Sequence, residues 1–197
     1  MSAPARRKPA TYDDLLAVPE HLVGEILDGE LFALPRPSPR HAQASSGVGG
    51  ALFERFNNSG GGGDSPGGWW ILDEPELHLR DDTVLPDLAG WRRERMKSLP
   101  EAAFIELPPD WVCEVLSPTT EAIDRGRKTR VYARENVSHL WLLNPVPRTL
   151  EIYRLVESRW TLLATFIGDE SVHAEPFESV GLDMSRWWIP ETKSDSG

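Results

Sequence analysis

Three residues in this chain have the types and order needed for hydrolytic chemistry at a phosphate. Asp87 closes the run Val84-Leu85-Pro86-Asp87, Glu114 lies inside Trp111-Val112-Cys113-Glu114-Val115-Leu116, and Lys128 follows in a helix-forming stretch. Alternation along a strand puts Val112, Glu114 and Leu116 on one face and Trp111, Cys113 and Val115 on the other, so Glu114 stands among apolar neighbours. A lone carboxylate in such surroundings is costly. The cost is offset if Glu114 faces Asp87 across a divalent cation, because Mg²⁺ (or Mn²⁺) prefers oxygen ligands and its charge cancels the repulsion between them. The backbone carbonyl of Val115 or Cys113 and water molecules would complete the shell. Such a cation acidifies a bound water for attack on a phosphodiester, while Lys128 orients the nucleophile or balances charge growing on the phosphate. A second arrangement suits the same residues, with Glu114 paired to a buried Arg or Lys and Asp87 capping a turn. Spacing alone does not choose between the two.

The elements that must position these residues can be read from pattern. Thr11 caps a short helix whose first turn holds Asp13 and Asp14, and Pro19 ends it. Asp28-Gly29 separates two apolar segments between residues 21 and 34 and suits a hairpin turn. Residues 40–57 carry Val48, Leu52, Phe53 and Phe56 at helical spacing, weakened by Gly47, Gly49 and Gly50. Strands are expected at 69–72, 77–80, 84–89 (with Pro86 marking an edge or an end) and 111–116. A helix is expected over 121–135, ended by a left-handed Asn136. A meander of strands follows at 140–143, 150–155 and 160–166, turning at Asn144-Pro145 and Glu157-Ser158. Asp124, Lys128 and Tyr132, four apart, share one helix face.

The fold class is therefore mixed α and β. The expected organisation is one domain over 11–190 with flexible ends at 1–10 and 191–197. The stretch 59–68 holds six of the sixteen glycines but lacks the Lys-Ser/Thr ending of a phosphate-binding loop, so it reads as a flexible connection.

Composition limits the partners. The chain has 197 residues, with 31 acidic against 21 basic side chains and a net charge of −10, which argues against broad electrostatic attachment to DNA. The distribution says more than the total. Arg92, Arg93, Arg95 and Lys97 follow Asp87, and Arg125, Arg127, Lys128, Arg130 and Arg134 follow Glu114. Of these, Arg92, Arg93, Arg125, Arg127 and Arg130 are candidate phosphate contacts. One cysteine, Cys113, excludes an internal disulfide and fits a reducing, cytoplasmic setting. No apolar run is long enough to span a bilayer. The five histidines are dispersed and match no zinc-ligand spacing. Cys113 reads as core, Ser117 as a cap or turn, and the pairs Trp69-Trp70 and Trp187-Trp188 as packing residues rather than base-stacking ones.

The ordered set Gly24-Glu25-Ile26-Leu27-Asp28-Gly29-Glu30, His41, Pro86-Asp87, Glu114-Val115-Leu116-Ser117-Pro118, Lys128, Tyr132 and His139-Leu140-Trp141-Leu142-Leu143 resembles the Uma-two family. This family consists of restriction-endonuclease-like proteins of the PD-(D/E)XK nuclease superfamily. The resemblance runs from about residue 11 to 190 and implies a restriction-endonuclease-like central mixed β-sheet flanked by helices, with additional antiparallel strands. It places the site at Asp87 and Glu114, with Glu25, His41 and Tyr132 as accessory residues. The chain departs from the superfamily at the third motif, where Leu116 stands in place of the usual lysine. The resemblance implies that Lys128, on the adjoining helix, takes that lysine's part.

The leading expectation is a metal-dependent DNA endonuclease using Asp87, Glu114 and Lys128, with a homodimer as the form suited to cutting two strands. Two rivals stand beside it. One is a catalytically inactive binding or regulatory protein on the nuclease scaffold, and the other a hydrolase of a smaller phosphate ester.

Overall fold

The computed structural model describes residues 8–58 and 65–190. The expected flexible segments 1–7 and 191–197 and most of the glycine-rich connection lie outside the described residues. Residues 8–10, which composition assigns to a mobile end, are held: the Ala10 N–H donates to the Gly29 carbonyl at 2.8 Å.

Helix α1 (Tyr12–Leu16) starts at Thr11 with a reciprocal capping box to Asp14. Strands β1 (Leu22–Leu27) and β2 (Glu30–Pro35) form the hairpin, and Asp28 and Gly29 both take the positive φ that its turn demands. Helix α2 (Pro39–Phe56) is capped by Ser38 and buries the stripe His41, Ala44, Val48, Leu52 and Phe56, at steps of three and four residues. His41 heads this stripe, so the face that anchors the helix also delivers an imidazole to the interior.

Six strands make the main sheet: β3 (Trp69–Asp73), β6 (Leu88–Arg92), β7 (Trp111–Val115), β8 (His139–Asn144), β9 (Thr149–Val156) and β10 (Arg159–Ile167). Their order is β10-β9-β8-β7-β6-β3, antiparallel except for the parallel pair β7 and β8. Parallel neighbours require a crossover, and the helical segment 121–134 supplies it. A second, antiparallel sheet joins β1 and β2 to β4 (Leu77–Leu79) and β5 (Asp82–Val84) in the order β2-β1-β5-β4. A short pair, β11 (Ser171–Val172) and β12 (Leu182–Asp183), precedes a 3-10 turn at Met184–Trp187.

The main sheet is covered on both faces. On one, α2 and the C-terminal segment enclose Trp111, Cys113, Val115, Trp141 and Phe177. Trp111, Trp141 and Phe177 meet edge to face with centroids 5.1–5.6 Å apart. Each such pair contributes about 0.5–1.5 kcal/mol beyond its buried area. Trp69, Trp187 and Trp188 lie in the same core, as packing residues. On the other face, the helix and second sheet enclose Val112, Leu116, Leu140, Leu142, Val131 and Tyr132. The alternation expected for 111–116 is present, with Glu114 on this second face.

Two further expectations need correction. The single strand read over 84–89 is two strands in two sheets: β5 ends at Val84, β6 begins at Leu88, and Leu85-Pro86-Asp87 carries the chain from one sheet to the other. Pro86 has no N–H to give a ladder, so the break falls there. The helix read over 121–135 is interrupted. We call it α3; it comprises Glu121–Ile123, a π-turn at Asp124–Lys128, and Thr129–Arg134. Asn136 follows it with φ of 58°, as expected.

The glycines that weaken α2 as a sequence have unequal reasons. A methyl at Gly47 would meet the Trp187 Cα at 2.8 Å, whereas one at Gly50 meets nothing within 4 Å. Gly47→Ala should therefore lower stability by about 1–3 kcal/mol despite the better helix former, and Gly50→Ala should raise it by up to about 1 kcal/mol. Urea midpoints of the two variants should move in opposite directions.

Candidate active site

The site forms where the two sheets and α3 meet. Continuing the β6–β7 register one step past the pair Leu88 and Cys113 sets Asp87 opposite Glu114. Asp87 is fixed at both oxygens: Oδ2 accepts the Val115 N–H at 2.7 Å, and Oδ1 lies 2.5 Å from His41 Nε2. Its backbone carbonyl accepts the Glu74 N–H. The short bridge of residues 85–87 is clamped as well, with the Leu85 N–H donating to Glu25 Oε1 at 2.8 Å and its carbonyl accepting from Lys128 Nζ at 3.1 Å.

Lys128 sits at the centre. Its ammonium lies 3.0 Å from Glu114 Oε2, 3.1 Å from Glu25 Oε1 and 3.6 Å from Asp124 Oδ1. The ammonium donates to Glu114 and to the Leu85 carbonyl, and Glu25 stands beside it as an ion-pair partner. The second oxygen of Glu114, Oε1, accepts a short hydrogen bond from the Tyr132 hydroxyl. Glu25 and Glu114 are each 1% exposed and Lys128 4%.

The π-turn makes this convergence possible. An unbroken α-helix turns about 40° beyond a full circle every four residues, so positions 124 and 132 would diverge by about 80°. The wider turn at Asp124–Lys128 takes back part of that rotation and keeps Asp124, Lys128 and Tyr132 pointing into the cluster. Thr129 accommodates the bulge, since its hydroxyl approaches the Arg125 carbonyl at 2.8 Å and that of Gly126 at 3.1 Å.

The electrostatics follow from burial and count. Burial pushes Glu114 well above the ordinary carboxylate value, and the lowering by Lys128 is opposed by repulsion from Asp124, Asp87 and Glu25. Glu25 and Asp124 are raised for the same leading reason, burial, which outweighs Lys128 in each case. Burial works against the charge of Lys128 too, but Glu114 and Glu25 outweigh it, and its pKa stands well above normal. Tyr132 is pushed up by burial and by Glu114, so its hydroxyl remains a donor. Three buried carboxyl groups thus share one ammonium, so acidic groups outnumber the cation.

That surplus, carried on hard oxygen atoms, suits Mg²⁺ or Mn²⁺. Among the described residues no three His, Cys, Asp or Glu side chains form a ready ligand group. A set of two carboxylates and a carbonyl is still compatible with Mg²⁺, which keeps several of its waters.

A cleft of about 460 Å³ opens onto these groups, with Glu25, His41, Asp87, Glu114, Asp124 and Lys128 in its lining. Asp124 was visible in sequence only as part of the 124–128–132 stripe. The link between His41 and Asp87 had no sequence signal beyond the resemblance.

The arginines are placed elsewhere. Arg92 and Arg93 lie at the end of β6 away from Asp87, on the order of 15 Å along the strand. Arg92 stacks over Trp69, while Arg93 stacks over Trp70 and donates to the Trp69 and Asn57 carbonyls. Arg125 forms a two-pronged pair with Glu151 and a further one with Glu121. Arg127 pairs with Glu30 and Asp28, and Arg130 and Arg134 reach Asp28 as well. The structure brings none of the five candidate phosphate contacts to the carboxylates. Cys113 lies in the opposite core, where burial raises its thiol pKa.

A family model described as "Uma2: Putative restriction endonuclease" matches residues 9–185. The chain belongs to the Uma2 family. No curated protein matches it significantly. A crystal structure described as a putative nuclease belonging to DUF820 from Anabaena variabilis ATCC 29413 is similar, with a TM-score of 0.72 and 20% identity, covering 91% of this chain and 97% of that one. That similarity shows the fold, and the mixed sheet flanked by helices, with additional antiparallel strands, is the architecture expected. No helix among the described residues is long and apolar enough to cross a membrane.

Removing the central ammonium should expose the charge surplus. Lys128→Met is expected to cost about 3–5 kcal/mol at neutral pH. The raised carboxylates favour folding below their ordinary pKa and lose that contribution as pH rises through the raised values. The deficit of the variant should therefore shrink on acidification, as these groups take up protons. Urea denaturation of both proteins from pH 5 to 8 measures it; a pH-independent deficit would contradict the assignment.

Proposed function

We propose that this Uma2 protein is a divalent-cation-dependent DNA endonuclease. One observation carries the proposal: Asp87 and Glu114 stand together in a cleft, with Lys128 against Glu114 and more buried carboxylates than cations to balance them. Asp87, Glu114 and the Val115 carbonyl would hold the cation, which when bound supplies positive charge at the phosphate and acidifies a water. The chain's own groups do the rest. His41 and the Val115 N–H fix the direction of the Asp87 carboxylate. Tyr132 fixes Glu114. Lys128 places a permanent charge beside the proposed scissile phosphate, in the part that the superfamily's third-motif lysine would take. Glu25 and Asp124 hold that ammonium in place. We further propose that 11–190 works as one unit, since the cleft draws residues from both sheets and both long helical segments.

A second reading, a catalytically silent scaffold, is favoured by a specific feature. The Lys128 ammonium and both Asp87 oxygens already have partners within the protein.

Cleavage of plasmid and single-stranded DNA with Mg²⁺ or Mn²⁺ separates the readings. The native protein should cut, chelation should abolish cutting, and the near-isosteric Asp87→Asn and Glu114→Gln should each reduce the rate by about 10²-fold or more. Native protein that binds no divalent ion by calorimetry and leaves DNA intact would rule the endonuclease out.

A further inference from the structure

Among the described residues, the cleft that holds the carboxylates lacks the lining of a duplex-binding groove. Among the described residues, the only Lys or Arg in its lining apart from Lys128 at its floor is Arg36, whose guanidinium donates to the Glu20 carbonyl at 2.8 Å. Glu74 and Glu76 stand in the same lining. The arginines that could have formed a phosphate track are held in ion pairs or lie at the far end of β6. A duplex spread over this surface would meet acidic groups where its second strand needs cations.

The remaining walls are aliphatic. Leu15, Leu22, Val23, Leu34, Pro35 and Pro37 face the cleft, several of them half-buried or exposed. Such walls are out of place around a phosphate backbone and suitable for the flat, apolar face of a base. The reacting groups are also deep, with Glu114 and Lys128 almost fully buried. A phosphodiester must enter the cleft to reach them, which a single flexible strand can do more readily than an intact double helix. A volume of about 460 Å³ lies in the range of single small-ligand sites.

From these observations, and resting on the phosphodiesterase reading above, we infer that the cleft takes one unpaired nucleotide unit of DNA, with its base against the Leu22, Val23 and Leu34 wall and its phosphate at the carboxylate floor. The unit is either part of a single-stranded or extruded segment or a free dinucleotide, and competition distinguishes these sources.

The test is fluorescence anisotropy with the full chain in Ca²⁺. The probes are a blunt duplex of about 20 base pairs, the same duplex with one bulged nucleotide, and the corresponding single strand. Binding of the bulged and single-stranded probes about tenfold or more tighter than the blunt duplex is expected. Leu34→Glu, or Pro37→Glu at an exposed position should the first not fold, is expected to remove that preference while leaving the melting temperature within a few degrees of native. A dinucleotide that displaces the single strand identifies a free unit as sufficient; lack of displacement, with the preference intact, assigns the unit to a longer strand. Equal affinity for blunt and bulged duplex, no binding of any probe, or a preference unmoved in a folded wall variant would overturn the inference. Cleavage in Mn²⁺ is scored separately. A preference in binding with no cleavage removes the hydrolytic reading alone, whereas equal cleavage of blunt and bulged duplex removes this inference alone.

Discussion

The ammonium of Lys128 is the contact on which the site and much of its surroundings depend. It is buried, and it is shared by Glu25 from the second sheet, Glu114 from the main sheet, Asp124 from its own helix and the Leu85 carbonyl from the bridge between sheets. Each of these elements brings a group that could not be buried alone. One cation therefore joins four parts of the chain, and the same contact that allows the sheets and helix to close also gathers the acidic groups in one cleft.

The carboxylate surplus works against stability. A core built for stability alone would match charges or replace them with apolar side chains, which is often at least as stable. This one leaves three buried acids to one ammonium and directs a fourth, Asp87, to the same cleft through His41 and the Val115 N–H. The π-turn at Asp124–Lys128 belongs to the same pattern, since it gives up regular helical bonding to keep Asp124, Lys128 and Tyr132 on one line. The surface arginines pair with carboxylates at the hairpin turn, on β5 and on β9.

Elements governed by local rules were legible. The Asp28-Gly29 and Glu157-Ser158 turns, the Thr11 cap, the Asn136 helix end and the alternation that isolates Glu114 each depend on a few adjacent residues. The split at Leu85-Pro86-Asp87 was only half legible. Pro86 announced a break in a strand, but the transfer between sheets depends on which distant strands accept each half. The helix over 40–57 was legible despite its glycines, but the role of Gly47, which allows the Trp187 backbone to approach, was not.

By itself the sequence determined most of the elements, the strand face on which Glu114 lies and the family to which the chain belongs, because strand alternation, turn chemistry and ordered motifs are local or linear properties. The tertiary structure decided which charges meet. It brought Lys128 to Glu25 across 103 positions and His41 to Asp87, and committed the arginines to ion pairs and ring stacking instead of an open track. Electrostatic partnership depends on distance and burial in space, and the order of charged residues along a chain carries neither.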